Sequence, residues 1–102
     1  MLPPATFHIL LALAGEDRHG YAIIQDVAER TQGEIRLTAS TLYDALARLV
    51  DDGSIQETKR PPDVTDHDER RRYYALTAAG RKAAKEETRR LERTVALAKE
   101  RL

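Results

Sequence analysis

The chain has 102 residues, of which 41% are apolar and 33% charged, with 17 Lys/Arg balanced by 17 Asp/Glu and no cysteine. This composition suits one domain with a modest core, burying about 65% of the unfolded chain's surface. It excludes a disordered chain, a disulfide framework and a thiolate metal site.

The longest apolar run, residues 9–14, is too short to span a bilayer, and no basic stretch precedes it as in a secretory signal. A cytoplasmic protein that does not engage a membrane is therefore expected. Zero net charge argues at first against a nucleic-acid partner, but the charge is polarised. Residues 1–53 hold four Lys/Arg against eight Asp/Glu, a net of −4, while residues 54–102 hold thirteen against nine, a net of +4. Arg70, Arg71 and Arg72 form the tightest basic cluster.

Pro3 and Pro4 suit the first turn of a helix, where no N–H partner is lost. Phe7, Leu10, Leu11 and Ala14 form its expected stripe, with Ile9 and Leu13 on the flank. A helix so apolar all round needs a second surface beyond what a small chain supplies. Residues 16–19 read as a polar turn. A second helix follows over about 20–31, with Tyr21, Ile24, Val27 and Ala28 inward and Gln25, Asp26, Glu29 and Arg30 in water. Gln32-Gly33 breaks it, and Ile35-Arg36-Leu37 alternates enough for a very short strand.

The third helix organises the chain. Thr38 is its expected N-cap, Leu42, Leu46, Leu49 and Val50 its buried face, and Gly53 its left-handed stop. Its first turn offers Ser40, Thr41 and Tyr43 with no charge before Asp44. Short hydroxyls beside free backbone N–H groups suit close approach to an anion such as phosphate, although Ser40 and Thr41 can equally serve only as caps. After Gly53 the period switches to two. Residues 54–60 read as a strand with Ile55 inward, Pro61 and Pro62 stop it, and 63–69 form a polar loop. Residues 71–76 read as the returning strand, with Tyr74 and Leu76 toward the core. A long hairpin after a helix-turn-helix pair is a wing.

Thr77 caps the last helix. Within it Ala84, Thr88, Leu91, Val95, Ala98 and Leu102 follow a 4-3-4-3-4 spacing, a heptad seam of nearly three repeats flanked by both charges. An intramolecular stripe is the alternative, but only the first helix has apolar surface left to receive it. Pairing both helices with a second copy of the chain accounts for two orphan faces at once, with Phe7, Leu10 and Leu11 joining the seam.

The fold class read from these elements is mainly α with a small β-hairpin: a winged helix-turn-helix over 1–76 and a C-terminal dimerisation helix over 77–102. Three motifs stand in order. They are His19-Gly20-Tyr21; Ser40-Thr41-Leu42-Tyr43 with Leu46, Arg48-Leu49 and Gly53; and Arg72-Tyr73-Tyr74 with Leu76-Thr77 and Gly80. Over about residues 10–80 the chain resembles the PadR family of bacterial transcriptional regulators. The resemblance implies a homodimeric, repressor-type regulator whose third helix enters the major groove, whose wing meets the DNA backbone or minor groove, and whose C-terminal helix dimerises. Its single C-terminal helix resembles the short branch of that family. Asp44 stands where many relatives carry Pro, and the absence of Trp removes the drug-stacking site some short relatives have.

The residues expected at double-stranded DNA are Thr38, Ser40, Thr41, Tyr43 and Arg48 on the third helix, and Lys59, Arg60, Arg70, Arg71 and Arg72 around the wing. Arg48 has an alternative partner in Asp44 at i, i+4, and the wing arginines have one in cross-strand acids. Asp63, Asp66, Asp68 and Glu69 make the loop tip an awkward neighbour for DNA, so the strand bases are the expected contact. Tyr73 and Tyr74 suit wing packing better than base stacking. A dimeric winged-helix module that binds protein rather than DNA is the competing function.

No motif sets a nucleophile beside a base, so an enzyme is not expected, and no cofactor is implied. Asp63, Asp66, His67, Asp68 and Glu69 lack a recognised metal-ligand spacing. A small-molecule effector would lie in the dimer cleft between the first and last helices, near Phe7, His8, Leu11 and Leu91.

Overall fold

The computed structural model describes residues 1–61 and 71–102. Four helices, α1 (Pro4–Gly15), α2 (Gly20–Arg30), α3 (Ala39–Asp51) and α4 (Ala78–Arg101), surround a small sheet of β1 (Arg18–His19), β2 (Ile55–Thr58) and β3 (Tyr73–Leu76). The sheet is antiparallel in the order β1-β3-β2. Arg18 and His19 pair with Tyr74 and Tyr73, and Ile55 through Thr58 pair with Leu76 through Tyr73. This is a winged helix-turn-helix with a long fourth helix.

Helix α1 lies at the centre, against α2, α4 and β3. Its buried residues are Ile9, Leu10, Ala12 and Leu13, whereas Phe7 is half-buried and Leu11 is exposed. The stripe is thus rotated from the expected 7-10-11-14 line. A helix apolar on every side carries no periodic signal of which side faces the core.

Helix α2 departs in the same way. Ile23 and Val27 are buried, Tyr21 is 58% exposed, and Asp26 faces inward instead of toward water. Asp26 Oδ1 accepts from Arg30 Nε at 2.8 Å and lies 3.4 Å from the Arg18 guanidinium, while Oδ2 is buried without a hydrogen-bond partner. Arg18 Nε also donates to the Ala12 carbonyl at 2.8 Å. These contacts fasten residues 18–19 as an edge strand beside β3, where the sequence suggested only a turn. The position expected for a strand at residues 35–37 carries none. Leu37 is buried there as part of the core, and β1 already fills the free edge of β3.

Helix α3 buries Leu42, Ala45, Leu46 and Leu49, with Val50 at the rim and 38% exposed. Gly53 has φ of +80°, the left-handed stop anticipated for it. The hairpin is shorter than expected: β2 stops at Thr58, and Arg71 and Arg72 precede β3 rather than lying in it. Tyr73 and Tyr74 are both buried, and burial pushes the Tyr74 phenol above its ordinary pKa.

Two devices fix α4. Thr77 caps it by accepting from Gly80 N–H at 3.1 Å, while its hydroxyl donates to the Gly53 and Ser54 carbonyls. Two turns beyond Gly80, the buried Glu87 carboxylate accepts from Arg90 Nε at 2.9 Å and from Leu2 N–H at 3.2 Å, tying the chain ahead of α1 to α4. The Arg90 hydrogen bonds outweigh desolvation and hold the Glu87 carboxyl at about 2, against an ordinary 4.5. A depressed carboxyl stabilises the fold above its unfolded pKa, and that stabilisation is lost as pH falls through the folded value. Glu87→Gln is therefore expected to be less stable than the wild type at pH 7. The gap should close between about pH 4.5 and pH 2 in urea titrations. A gap unchanged with pH would mean that the Glu87 charge, held by Arg90, does not stabilise the fold.

Candidate nucleic-acid interface

The start of α3 is built by its cap. Thr38 Oγ1 accepts from Thr41 N–H at 3.1 Å, and the Thr38 hydroxyl donates to Thr41 Oγ1 at 3.0 Å. Thr38 and Thr41 are therefore partly engaged with each other. Ser40 and Tyr43 are exposed, and among the described residues neither hydroxyl makes a hydrogen bond. No acid occupies the first turn. Exposed hydroxyls at the positive end of a helix form a surface that accepts phosphate.

Tyr43 leans over the start of α2. A Cβ at Gly20 would lie 2.6 Å from the Tyr43 hydroxyl, so the glycine gives this phenol its seat. Tyr43 and Gly20 line one side of a cleft of about 520 Å³, and His19, Tyr21, Tyr74, Arg71 and Arg72 complete it. The start of α2, the start of α3 and the root of the wing thus meet at one opening.

His19 holds two of these elements together. Its Nδ1 accepts from Ala22 N–H at 3.2 Å as the N-cap of α2, and its ring stands edge-on to Tyr73 at 5.3 Å. Its Nε2 is 3.0 Å from the Arg71 guanidinium. A neutral imidazole has one acceptor nitrogen, so the ring serves the helix N–H or the guanidinium, not both at once. Arg72 lies 3.4 Å from Glu57 across the hairpin, with 74% and 54% of the two side chains exposed. An ion pair that open is worth under about 1 kcal/mol, so it yields readily to a phosphate.

The other expected DNA residues are scattered. Lys59 and Arg60 are exposed just beyond β2. Arg48 lies on the opposite flank of α3 from Tyr43, in a second crevice of about 320 Å³ with Thr6, Asp52 and Ser54. No ion pair joins it to Asp44 among the described residues. The structure does not bring Arg48 together with the cleft. Arg70 and the acidic loop with Asp63, Asp66, His67, Asp68 and Glu69 lie outside the described residues. His19, Gly20 and Tyr21, which the sequence presented only as a motif opening α2, are part of the site. Only the pairing of residues 18–19 with 73–74 brings them to it.

The residues expected at a dimer interface divide in two. Leu10 is fully buried and Ala84 is 8% exposed, so both belong to the core of the chain and have no surface to give a partner. Thr88, Leu91, Val95, Ala98 and Leu102 are exposed, as is every residue from 91 to 102. Phe7, Leu11, Thr88, Leu91 and Val95, with Glu92, Ala96 and Lys99, line an open trough of about 590 Å³ between α1 and α4. Only the first half of α4 packs on the domain. Among the described residues, no helix is long and apolar enough to cross a membrane.

The family model for PadR-like transcriptional regulators matches residues 9–86. A transcriptional regulator from Clostridium thermocellum is similar in structure, with a TM-score of 0.78 and 28% identity, over 94% of this chain and 87% of that one. A PadR family transcription regulator from Clostridium difficile R20291 superposes with a TM-score of 0.78 at 22% identity, over 96% and 97% of the two chains, a likeness of fold. An uncharacterised protein of Lysinibacillus sphaericus is 33% identical over 73 residues, 72% of this chain, and the chain spans 64% of that relative's length.

Proposed function

The chain belongs to the PadR-like family of transcriptional regulators, and on that premise we propose that it acts in the cytoplasm as a homodimer that represses transcription from a palindromic operator. DNA-binding regulation of transcription is the family's work. The finer reading assigns residues 1–76 to DNA and residues 77–102 to dimerisation. Its main support is one juxtaposition: Tyr43, in the first half of α3, lines the same cleft as Arg71 and Arg72, and the Ser40 hydroxyl is exposed at the start of that helix. Helix α3 would enter a major groove with its N-terminal half, while Arg71, Arg72, Lys59 and Arg60 would meet phosphates on the flanking backbone.

The trough of Leu91 and Val95 supports pairing of two copies through α1 and α4, since an apolar strip of this kind is costly to leave in water. A two-fold dimer sets its recognition helices about 34 Å apart, one turn of DNA, and so reads a palindrome. A dimer covering two turns of promoter would block transcription by occupancy. The same trough is where a small-molecule effector would act, by changing the angle between the protomers.

Affinity for a fragment of the protein's own promoter, measured by anisotropy across a salt series, tests the DNA reading. The logarithm of the affinity should fall linearly with the logarithm of salt concentration, and Arg72→Ala should lower the slope by about 1 while leaving the fold intact. A flat salt dependence would count against phosphate contacts and favour a protein-binding module instead.

A further inference from the structure

The outermost line of α3 is not basic. Opposite its buried residues Leu42, Ala45, Leu46 and Leu49 run Ser40, Asp44, Ala47 and Asp51, all exposed. Tyr43 and Arg48 sit on the two flanks. The first polar group on this line beyond the opening turn of α3 is therefore the Asp44 carboxylate, with Asp51 two turns further on at the C-terminal end. Arg48 lies one turn on, yet no ion pair or hydrogen bond engages Asp44 among the described residues.

A carboxylate carried between two phosphate backbones is repelled from both. It is tolerated only where it meets a hydrogen-bond donor, and on the floor of the major groove the donors are the exocyclic amines of cytosine and adenine. Adenine sets its N7 lone pair beside that amine, opposing the second carboxylate oxygen. Cytosine offers its N4 amine without an adjacent acceptor on the same base. From the position of Asp44 we infer that it is a specificity-determining residue that selects cytosine at one position of each half-site, by accepting a hydrogen bond from N4. Ala47, one turn further, has only a methyl group to present and Asp51 stands at the last residue of the helix, so Asp44 supplies the polar discrimination in the N-terminal half of this line. The inference rests on α3 being the helix that enters the groove.

Selection of bound sequences from random duplex DNA by the full-length protein tests it, with wild type, Asp44→Asn and Asp44→Ala run in parallel. Asp44 is exposed and holds no other residue, so both variants should fold, which circular dichroism checks. The wild type should enrich a motif with a fixed cytosine in each half-site, preferred about tenfold over other bases. Asp44→Asn should exchange that cytosine for adenine, because a carboxamide pairs with adenine N6 and N7. Asp44→Ala should erase the preference at that position while tightening binding to unrelated DNA, one negative charge having been removed. An enriched motif left unchanged by both variants would overturn the role of Asp44 alone. Failure of the wild type to enrich any motif would overturn the DNA reading and this inference with it.

Discussion

Val95→Glu is expected to convert the protein to monomers at micromolar concentration and to weaken operator binding by roughly 10²- to 10⁴-fold. Val95 is 52% exposed and lies midway along the half of α4 that leaves the domain, so the substitution removes little packing from the folded protomer. In a two-fold dimer each copy would bring a new carboxylate into the apolar seam beside Leu91. Desolvating an unpaired charge costs several kcal/mol, enough to cancel a modest interface. Lys99, one turn on, can pair with the new carboxylate, but an exposed pair at that spacing is worth only a few tenths of a kcal/mol. A protomer freed from its partner loses the tether that makes the second half-site encounter intramolecular, hence the size of the effect on DNA. Sedimentation and anisotropy together check both halves. A dimer that survives Val95→Glu would place the interface elsewhere.

Gly80→Ala should cost about 3 kcal/mol of stability and lower Tm by about 10–20 °C. A Cβ at Gly80 would fall 2.0 Å from the Ser54 carbonyl oxygen and 2.9 Å from its carbon, atoms of the backbone that cannot swing aside. That carbonyl also accepts from the Thr77 N–H at 3.1 Å and from its hydroxyl at 2.9 Å. Room for the methyl group must come from moving α4 away from the start of β2, which breaks the cap. Alanine's better helix propensity returns only about 1 kcal/mol. Urea unfolding at one fixed protein concentration measures the loss, since dimerisation links stability to concentration. A change under about 0.5 kcal/mol would show that the α4–β2 junction gives way easily.

The features legible in the sequence were those set locally. Thr38 and Thr77 announce helix starts because a hydroxyl followed by an apolar period is a cap signal, and both cap as expected. The core face of α3 follows from its amphipathic spacing, and Gly53 from the need for a positive φ. The misplaced elements depend on distant partners. The face α1 turns inward is chosen by α2, α4 and β3 together, because its own residues are apolar all round. Residues 18–19 become a strand only because residues 73–74 supply a neighbour, and two charged or ring-bearing residues carry no strand signal alone. The same pairing explains the cleft: Tyr43 and the wing arginines were legible as candidates, but their meeting with His19 and Gly20 is a product of tertiary pairing. Asp26 misled because a single acid on a helix reads as solvated until Arg18 arrives from outside the helix to face it.

The most direct test of a paired, groove-spaced reader is its dependence on the phase of the half-sites. Affinity should be measured for an operator whose half-site centres lie about 10 base pairs apart, and for the same operator with about 5 base pairs inserted at its centre. The half-turn insertion should carry one half-site to the opposite face of the duplex and cost at least about 100-fold in affinity, with a full-turn insertion also failing against a rigid dimer. Equal affinity for all three spacings would contradict the account, because it would mean that each protomer binds its half-site alone.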